Sequence, residues 1–165
     1  MIRVGAVVLA AGLSTRMGQP KMLLPWGRST VIQTIVDTLL DCNLEEIVVV
    51  TGAHNGKIET LLENTPARCV FNTQYMNGEM LTSFQVGLSS LHNSGAALVM
   101  LGDQPHITAD VVLELVQNYT GQMLLIPSYK MRRGHPWIVN KKIWSEICEL
   151  TSPSTLRDIL THHKD

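Results

Sequence analysis

Residues 9–27 read LAAGLSTRMGQPKMLLPWG, with glycines at 12, 18 and 27, hydroxyls at Ser14 and Thr15, cations at Arg16 and Lys21, and no acid. Glycine admits close backbone approach and positive φ, and the small pair Ala10 and Ala11 leaves room for a ligand beside the chain. Main-chain N–H groups with one forked guanidinium and one ammonium suit a triphosphate: the amides cradle it, Arg16 forks, Lys21 acts as a point charge. Two well-known phosphate loops do not describe this one. The Walker pattern places four residues between its glycines and ends in Gly-Lys-Ser/Thr; here five residues separate Gly12 from Gly18, and Gln19 and Pro20 precede Lys21. The dinucleotide fingerprint G-x-G-x-x-G is also absent. The bland alternative is an ordinary glycine-rich connection with exposed charges, and the lack of acid weighs against it.

Three further segments hold chemistry. Gly102-Asp103-Gln104-Pro105 follows an apolar run and offers one carboxylate in a tight turn. Asp103 suits Mg²⁺, which takes hard oxygen ligands from one or two carboxylates plus phosphates; it equally suits an Asp capping its own turn. In residues 72–88, NTQYMNGEMLTSFQVGL, Gly78 precedes a helical stretch whose first turns hold Thr82 and Ser83. That pattern fits an anion- or base-contacting helix start, or ordinary capping. Residues 129–136, YKMRRGHP, bring Lys130, Arg132 and Arg133 up to His135. A histidine there either donates to a phosphate or pterin group or is simply structural or exposed. His54, His92, His106, His162 and His163 show no metal-ligand spacing. Cys42, Cys69 and Cys148 read as packed rather than catalytic.

Net charge is −1, which disfavours a nucleic-acid binder. Its distribution is uneven. Residues 1–36 carry four bases and residues 115–145 five, with no acid in either stretch, so the remainder carries a net −10. Two cationic segments on an otherwise acidic chain point to a local site for a small polyanion.

These groups need a scaffold, and 165 residues are enough for one domain with its own core. Apolar residues make up 45% and charged ones 16%, which excludes a disordered chain. Residues 4–10, 47–50, 96–101 and, less cleanly, 123–126 are apolar runs without polar alternation, as in strands buried on both faces. Between them Val31, Ile32, Ile35, Val36, Leu39 and Leu40 share a helix face that Ser29 or Thr30 can cap. Val111, Val112, Leu115, Val116 and Tyr119 do the same after Thr108, with Asp110 facing the helix dipole. Residues 80–91 and 141–150 are weaker helices. Alternating strands and helices predict a mostly parallel α/β sheet, with ligands beyond the carboxyl ends of its strands. Three widely spaced cysteines, no stretch long enough to span a bilayer and no signal peptide make a reducing cytoplasm the expected location.

Residues 9–21 resemble the signature LAAG-x-S-x-RMG-x-x-K of the molybdenum cofactor nucleotidyltransferase-like family, without a gap. The LAAG form is closer to the cytidylyltransferase branch than to the guanylyltransferase branch. GDQP resembles the family's metal motif, residues 72–88 its stretch N-x-x-x-x-x-G-M-x-x-S-x-x-x-G-L with Glu79 inserted after Gly78, and Gly134-His135-Pro136 its acceptor-side loop. The resemblance implies a Rossmann-like three-layer α/β/α fold of the nucleotide-diphospho-sugar transferase type. It implies a nucleotide site of Leu9, Ala10, Ala11, Gly12, Ser14, Arg16, Gly18, Lys21, Gly78 and Ser83. Arg16, Lys21 and Asp103 would be catalytic, Mg²⁺ would sit on Asp103, and Arg133 and His135 would place the acceptor. The implied reaction moves CMP from CTP to the terminal phosphate of molybdopterin. GTP, another phosphorylated acceptor, or a non-catalytic carrier of molybdenum cofactor are the alternatives. The implied partners are these small molecules and a molybdoenzyme recipient, without nucleic acid or membrane. Residues 1–165 are expected to form one nucleotidyltransferase domain that lacks the family's usual C-terminal strand and Asp-rich D-x-D-T-P-x-D tail.

Overall fold

The computed structural model describes residues 2–13, 19–77, 80–151, 158, 159 and 163. The strands are β1 (Val4–Ala10), β2 (Pro25–Trp26), β3 (Ser29–Thr30), β4 (Ile47–Thr51), β5 (Arg68–Phe71), β6 (Ala96–Leu101), β7 (Leu124–Leu125), β8 (Ser128–Tyr129), β9 (Arg132–Arg133) and β10 (Trp137–Asn140). The helices are α1 (Val31–Leu40), α2 (Asn55–Leu62), α3 (Met80–Ser89), α4 (Ala109–Asn118) and α5 (Trp144–Glu149). The main sheet has the order β5-β4-β1-β6-β10-β7. β1 pairs in parallel with β4 and β6, and β5 in parallel with β4, while β10 runs antiparallel to both β6 and β7.

The apolar runs explain the layering. Side chains alternate across a strand, so Val4, Ala6, Val8 and Ala10 of β1 face one core and Val7 faces the other. The first core is closed by α1, α2 and α4 through Ile32, Ile35, Leu39, Ile58, Leu62, Val112 and Leu115. The second is closed by α3 and α5 through Phe84, Leu88 and Ile147. This is the mostly parallel, three-layer architecture that the sequence predicts.

Several details depart from the sequence reading. Thr30 does cap α1, accepting from the Gln33 N–H at 3.3 Å. Thr108 occupies the corresponding place before α4, yet its side chain makes no capping bond. On α4, Val112 and Leu115 are buried but Val111 is 39% exposed. Residues 123–126 supply only the two-residue edge strand β7, because β10 takes the place beside β6. The packed-cysteine reading fails at Cys148, which is exposed. Burial pushes the Cys42 thiol up, and pushes Cys69 up to about 11, so both stay protonated.

At the amino ends of the parallel strands, Glu46 ties several segments together. Its carboxylate accepts from the His92 N–H (3.0 Å), the Asn93 N–H (2.8 Å), the Ser94 hydroxyl (2.8 Å) and the Arg68 guanidinium (3.1 Å). Burial alone would raise this carboxyl; the bonds from Asn93, Ser94, His92 and Arg68 together hold it below its ordinary value.

Candidate active site

The opposite end of the sheet is where β1, β4 and β6 release their loops. Leu9 pairs with Val50 and Leu101, and Ala10 with Thr51, so the first three positions of the LAAG run lie in and just beyond the central strand. Two glycines let the neighbours close on it. A Cβ at Gly52 would lie 2.5 Å from the Ala11 carbonyl oxygen, and one at Gly102 would lie 2.7 Å from that of Leu9. The Gly102 N–H donates to that Leu9 oxygen at 2.9 Å. Gly12 is exposed, with open space where a side chain would be. Ser14, Arg16, Gly18 and Gly78 lie outside the described residues.

Lys21 begins a single 3-10 turn, Lys21–Leu23. Buried Met22 anchors that turn in the core, and the Leu24 N–H bonds the Lys21 carbonyl at 3.2 Å. The Lys21 ammonium then lies 3.5 Å from the Asp103 carboxylate, with the two side chains 42% and 43% exposed. Two groups far apart in sequence thus meet at the mouth of the sheet because β6 lies directly beside β1. The next residue, Gln104, has a buried Oε1 with no hydrogen-bond partner.

His135 enters from the side of β10. Its ring stacks on Trp137 with centroids 4.7 Å apart and an interplanar angle of 6°. The indole Nε1 donates to the Gly134 carbonyl at 2.7 Å. Burial lowers the His135 pKa, against smaller opposing effects from a hydrogen bond with the Val99 main chain and from the Asp103 charge. The ring is therefore neutral at pH 7, and its Nδ1 is buried without a partner. One ring nitrogen is engaged by the Val99 main chain, so in the neutral form the other is an acceptor. Arg133 lies on the exposed β8–β9 hairpin, opposite Ser128.

Ser83 is 5% exposed, and its hydroxyl receives the Asn72 side-chain amide at 3.0 Å. Asn72 organises this corner. It also donates to Thr82, accepts from the Gln74 N–H, and gives its own N–H to Thr51. Tyr75 packs over Gly52 and pairs with Phe71 at 5.7 Å, forming an aromatic rim that the residue pattern did not single out. Trp137 likewise carries no mark of function in the residue pattern. Among the described residues no three His, Cys, Asp or Glu side chains are grouped as a metal cage. One half-exposed carboxylate offering hard oxygens does fit a divalent cation that draws its other ligands from phosphates.

The sequence profile described as the MobA-like NTP transferase domain matches residues 6–165. The chain is 30% identical over 145 residues to the Nicotine blue oxidoreductase of Paenarthrobacter nicotinovorans, spanning 83% of this chain and 71% of that protein. It is 27% identical over 162 residues to the Molybdenum cofactor cytidylyltransferase of Escherichia coli, spanning 97% and 82%. In three dimensions it superimposes on Rv0371c of Mycobacterium tuberculosis with a TM-score of 0.86 at 22% identity, covering 97% of this chain and 82% of that one. A second structure of Rv0371c is a manganese complex, with a TM-score of 0.79.

Proposed function

This chain belongs to the MobA-like NTP transferase family, and from that premise we propose that it moves CMP from CTP to the terminal phosphate of molybdopterin, or of molybdenum cofactor, with release of pyrophosphate. The observation that carries the reading is the meeting of Lys21 and Asp103 at 3.5 Å beyond the ends of β1 and β6. The 27% identity to a molybdenum cofactor cytidylyltransferase, over nearly the whole chain, supports the choice of substrates.

The attacking group is a phosphate oxygen, largely ionised near neutral pH, so no general base is needed. The difficulty is the approach of two anions. Unit charges ~4 Å apart repel by about 4 kcal/mol at an effective dielectric near 20. Lys21 offsets part of this as a cation on the triphosphate, and Arg16 of the same sequence segment is assigned the same task. Asp103 would hold Mg²⁺, whose chemistry is to neutralise phosphate charge; the manganese complex of Rv0371c supports a divalent ion in this fold. Gly12 and the small residues at positions 10 and 11 let the triphosphate lie against the main chain. His135 and Arg133 receive the acceptor on the β10 side. The location that goes with this reading is the cytoplasm, in keeping with three widely spaced cysteines.

A thermal-shift screen of the four nucleoside triphosphates, with and without Mg²⁺, tests this reading, because a ligand that binds only the folded form raises its apparent stability. Selective stabilisation by CTP with Mg²⁺, followed by pyrophosphate release on adding molybdopterin, is the expected result. Stabilisation by GTP moves the assignment to another base, and binding without product to a carrier. The 30% identity to an oxidoreductase favours one second reading, a redox reaction on the same scaffold. Stabilisation by a nicotinamide dinucleotide, and by no nucleoside triphosphate, would establish it.

A further inference from the structure

We propose that the Gln104 side-chain oxygen and the His135 Nδ1 form a subsite that accepts hydrogen bonds from an amino–amide edge, the edge that a 2-amino-4-oxopteridine presents. The inference deepens the proposed function, on which it rests for a pterin-bearing acceptor. Among the described residues these two are the buried side-chain nitrogen or oxygen atoms without a hydrogen-bond partner. Both are acceptors. An amide oxygen offers only lone pairs, and the His135 ring spends its other nitrogen on the Val99 main chain. They also come from neighbouring segments. β10 runs antiparallel to β6 with Trp137 opposite Val99, so the residues just ahead of Trp137 lie along the chain that leaves β6 towards Gln104. The charge of Asp103, which adjoins Gln104 in sequence, is felt by the same ring.

The two carriers are held without being sealed. The Gln104 N–H bonds the Leu101 carbonyl at 3.4 Å, and the Gln104 carbonyl accepts from the Ile107 N–H at 3.3 Å. The His135 ring lies flat on the Trp137 indole. Both residues are only half-buried, so a small side-chain rotation turns each acceptor outward. An orphaned acceptor already bears the cost of its lost water, and a ligand donor brought to it restores a full hydrogen bond. Two acceptors side by side suit the ring N–H and the exocyclic amino group of a pterin. They refuse a carbonyl in the amino position, where lone pair would face lone pair and the protein's acceptor would stay unpaired.

The probes are 6-hydroxymethylpterin and 6-hydroxymethyllumazine, which carries a carbonyl in place of the amino group, each titrated calorimetrically into the whole chain. Wild type is expected to bind the pterin about tenfold more tightly than the lumazine. Gln104→Leu, and His135→Phe with its ring kept over Trp137, are each expected to bring the two affinities together by weakening the pterin alone. Equal affinities in wild type, the outcome if the gap holds only water, overturn the proposal. So does an absence of pterin binding, a preference that survives both substitutions, or a loss that falls equally on both ligands. Titration of wild type with CTP and Mg²⁺ reads the proposed function separately. A pterin preference without CTP binding leaves the subsite standing and removes the nucleotide assignment; CTP binding with no pterin preference does the reverse.

Discussion

Single side chains at the mouth of the sheet are held by contacts that assign them distinct duties. Lys21 is anchored through buried Met22 and meets Asp103 with its charged end. On the proposed mechanism, Lys21→Met lowers turnover by about 10²–10³-fold, the cost of one preorganised donor. Pyrophosphate-release kinetics give the figure, and near-normal turnover would remove Lys21 from the reaction. On the same proposed mechanism Trp137 acts one step back, through the ring it stacks on His135 and its bond to Gly134. Trp137→Leu should raise the KM for the acceptor several-fold and leave that for the nucleotide unchanged. Trp137→Phe, which keeps a stacking ring, should restore most of the loss. A parallel rise in both KM values would mean that the tryptophan merely supports the fold. Lys21, Asp103 and His135 were legible in the sequence as candidates; Trp137 was not, and neither was the proximity of the four. It depends on β6 lying beside β1 and on β10 lying beside β6.

At the scale of elements, legibility followed burial. β1, β4 and β6 are apolar on both faces and were read almost to their ends. β5, with its exposed Arg68 and Phe71, carries no such signature because it is an edge strand. α2 was missed for the same reason, since only Ile58 and Leu62 of its eight residues are buried. Short α5 persists through tertiary help rather than length. The Gln85 amide of α3 reaches the carbonyls of Ile147 and Leu150, both at 2.9 Å, closing a helix end that has no basic residue of its own. Gln85→Ala should therefore cost about 1–2 kcal/mol, since partly buried carbonyls lose their donor. Urea unfolding measures this, and an unchanged midpoint would show that α5 needs no such clasp.

For the molecule as a whole, acid should act in two stages with different origins. His135 has a folded pKa below its ordinary 6.5. Its contribution is present above that value and is lost as pH falls towards the lowered one, because the unfolded chain takes up the proton first. Glu46 is also held below its ordinary 4.5, so its share persists through the first stage and drains away below 4.5 as pH passes its folded value. Urea midpoints followed from neutral to acid pH should show both steps. His135→Asn should abolish the upper step alone. Glu46→Gln should weaken the protein by about 2 kcal/mol at neutral pH, as expected for hydrogen bonds to a charged group, and abolish the lower step alone. A single acid transition unmoved by either variant would contradict this.

β10 runs against its neighbours, and so the stretch bearing His135 reaches the working edge ahead of its strand, whereas those bearing Lys21 and Asp103 leave theirs behind. The proposed grips on phosphate and on the acceptor are thereby hung from separate ends of the weave. On that proposal residues 127–136 are a replaceable cassette: grafting another sequence between Pro127 and Pro136 should change the KM for the acceptor and leave that for the triphosphate unchanged.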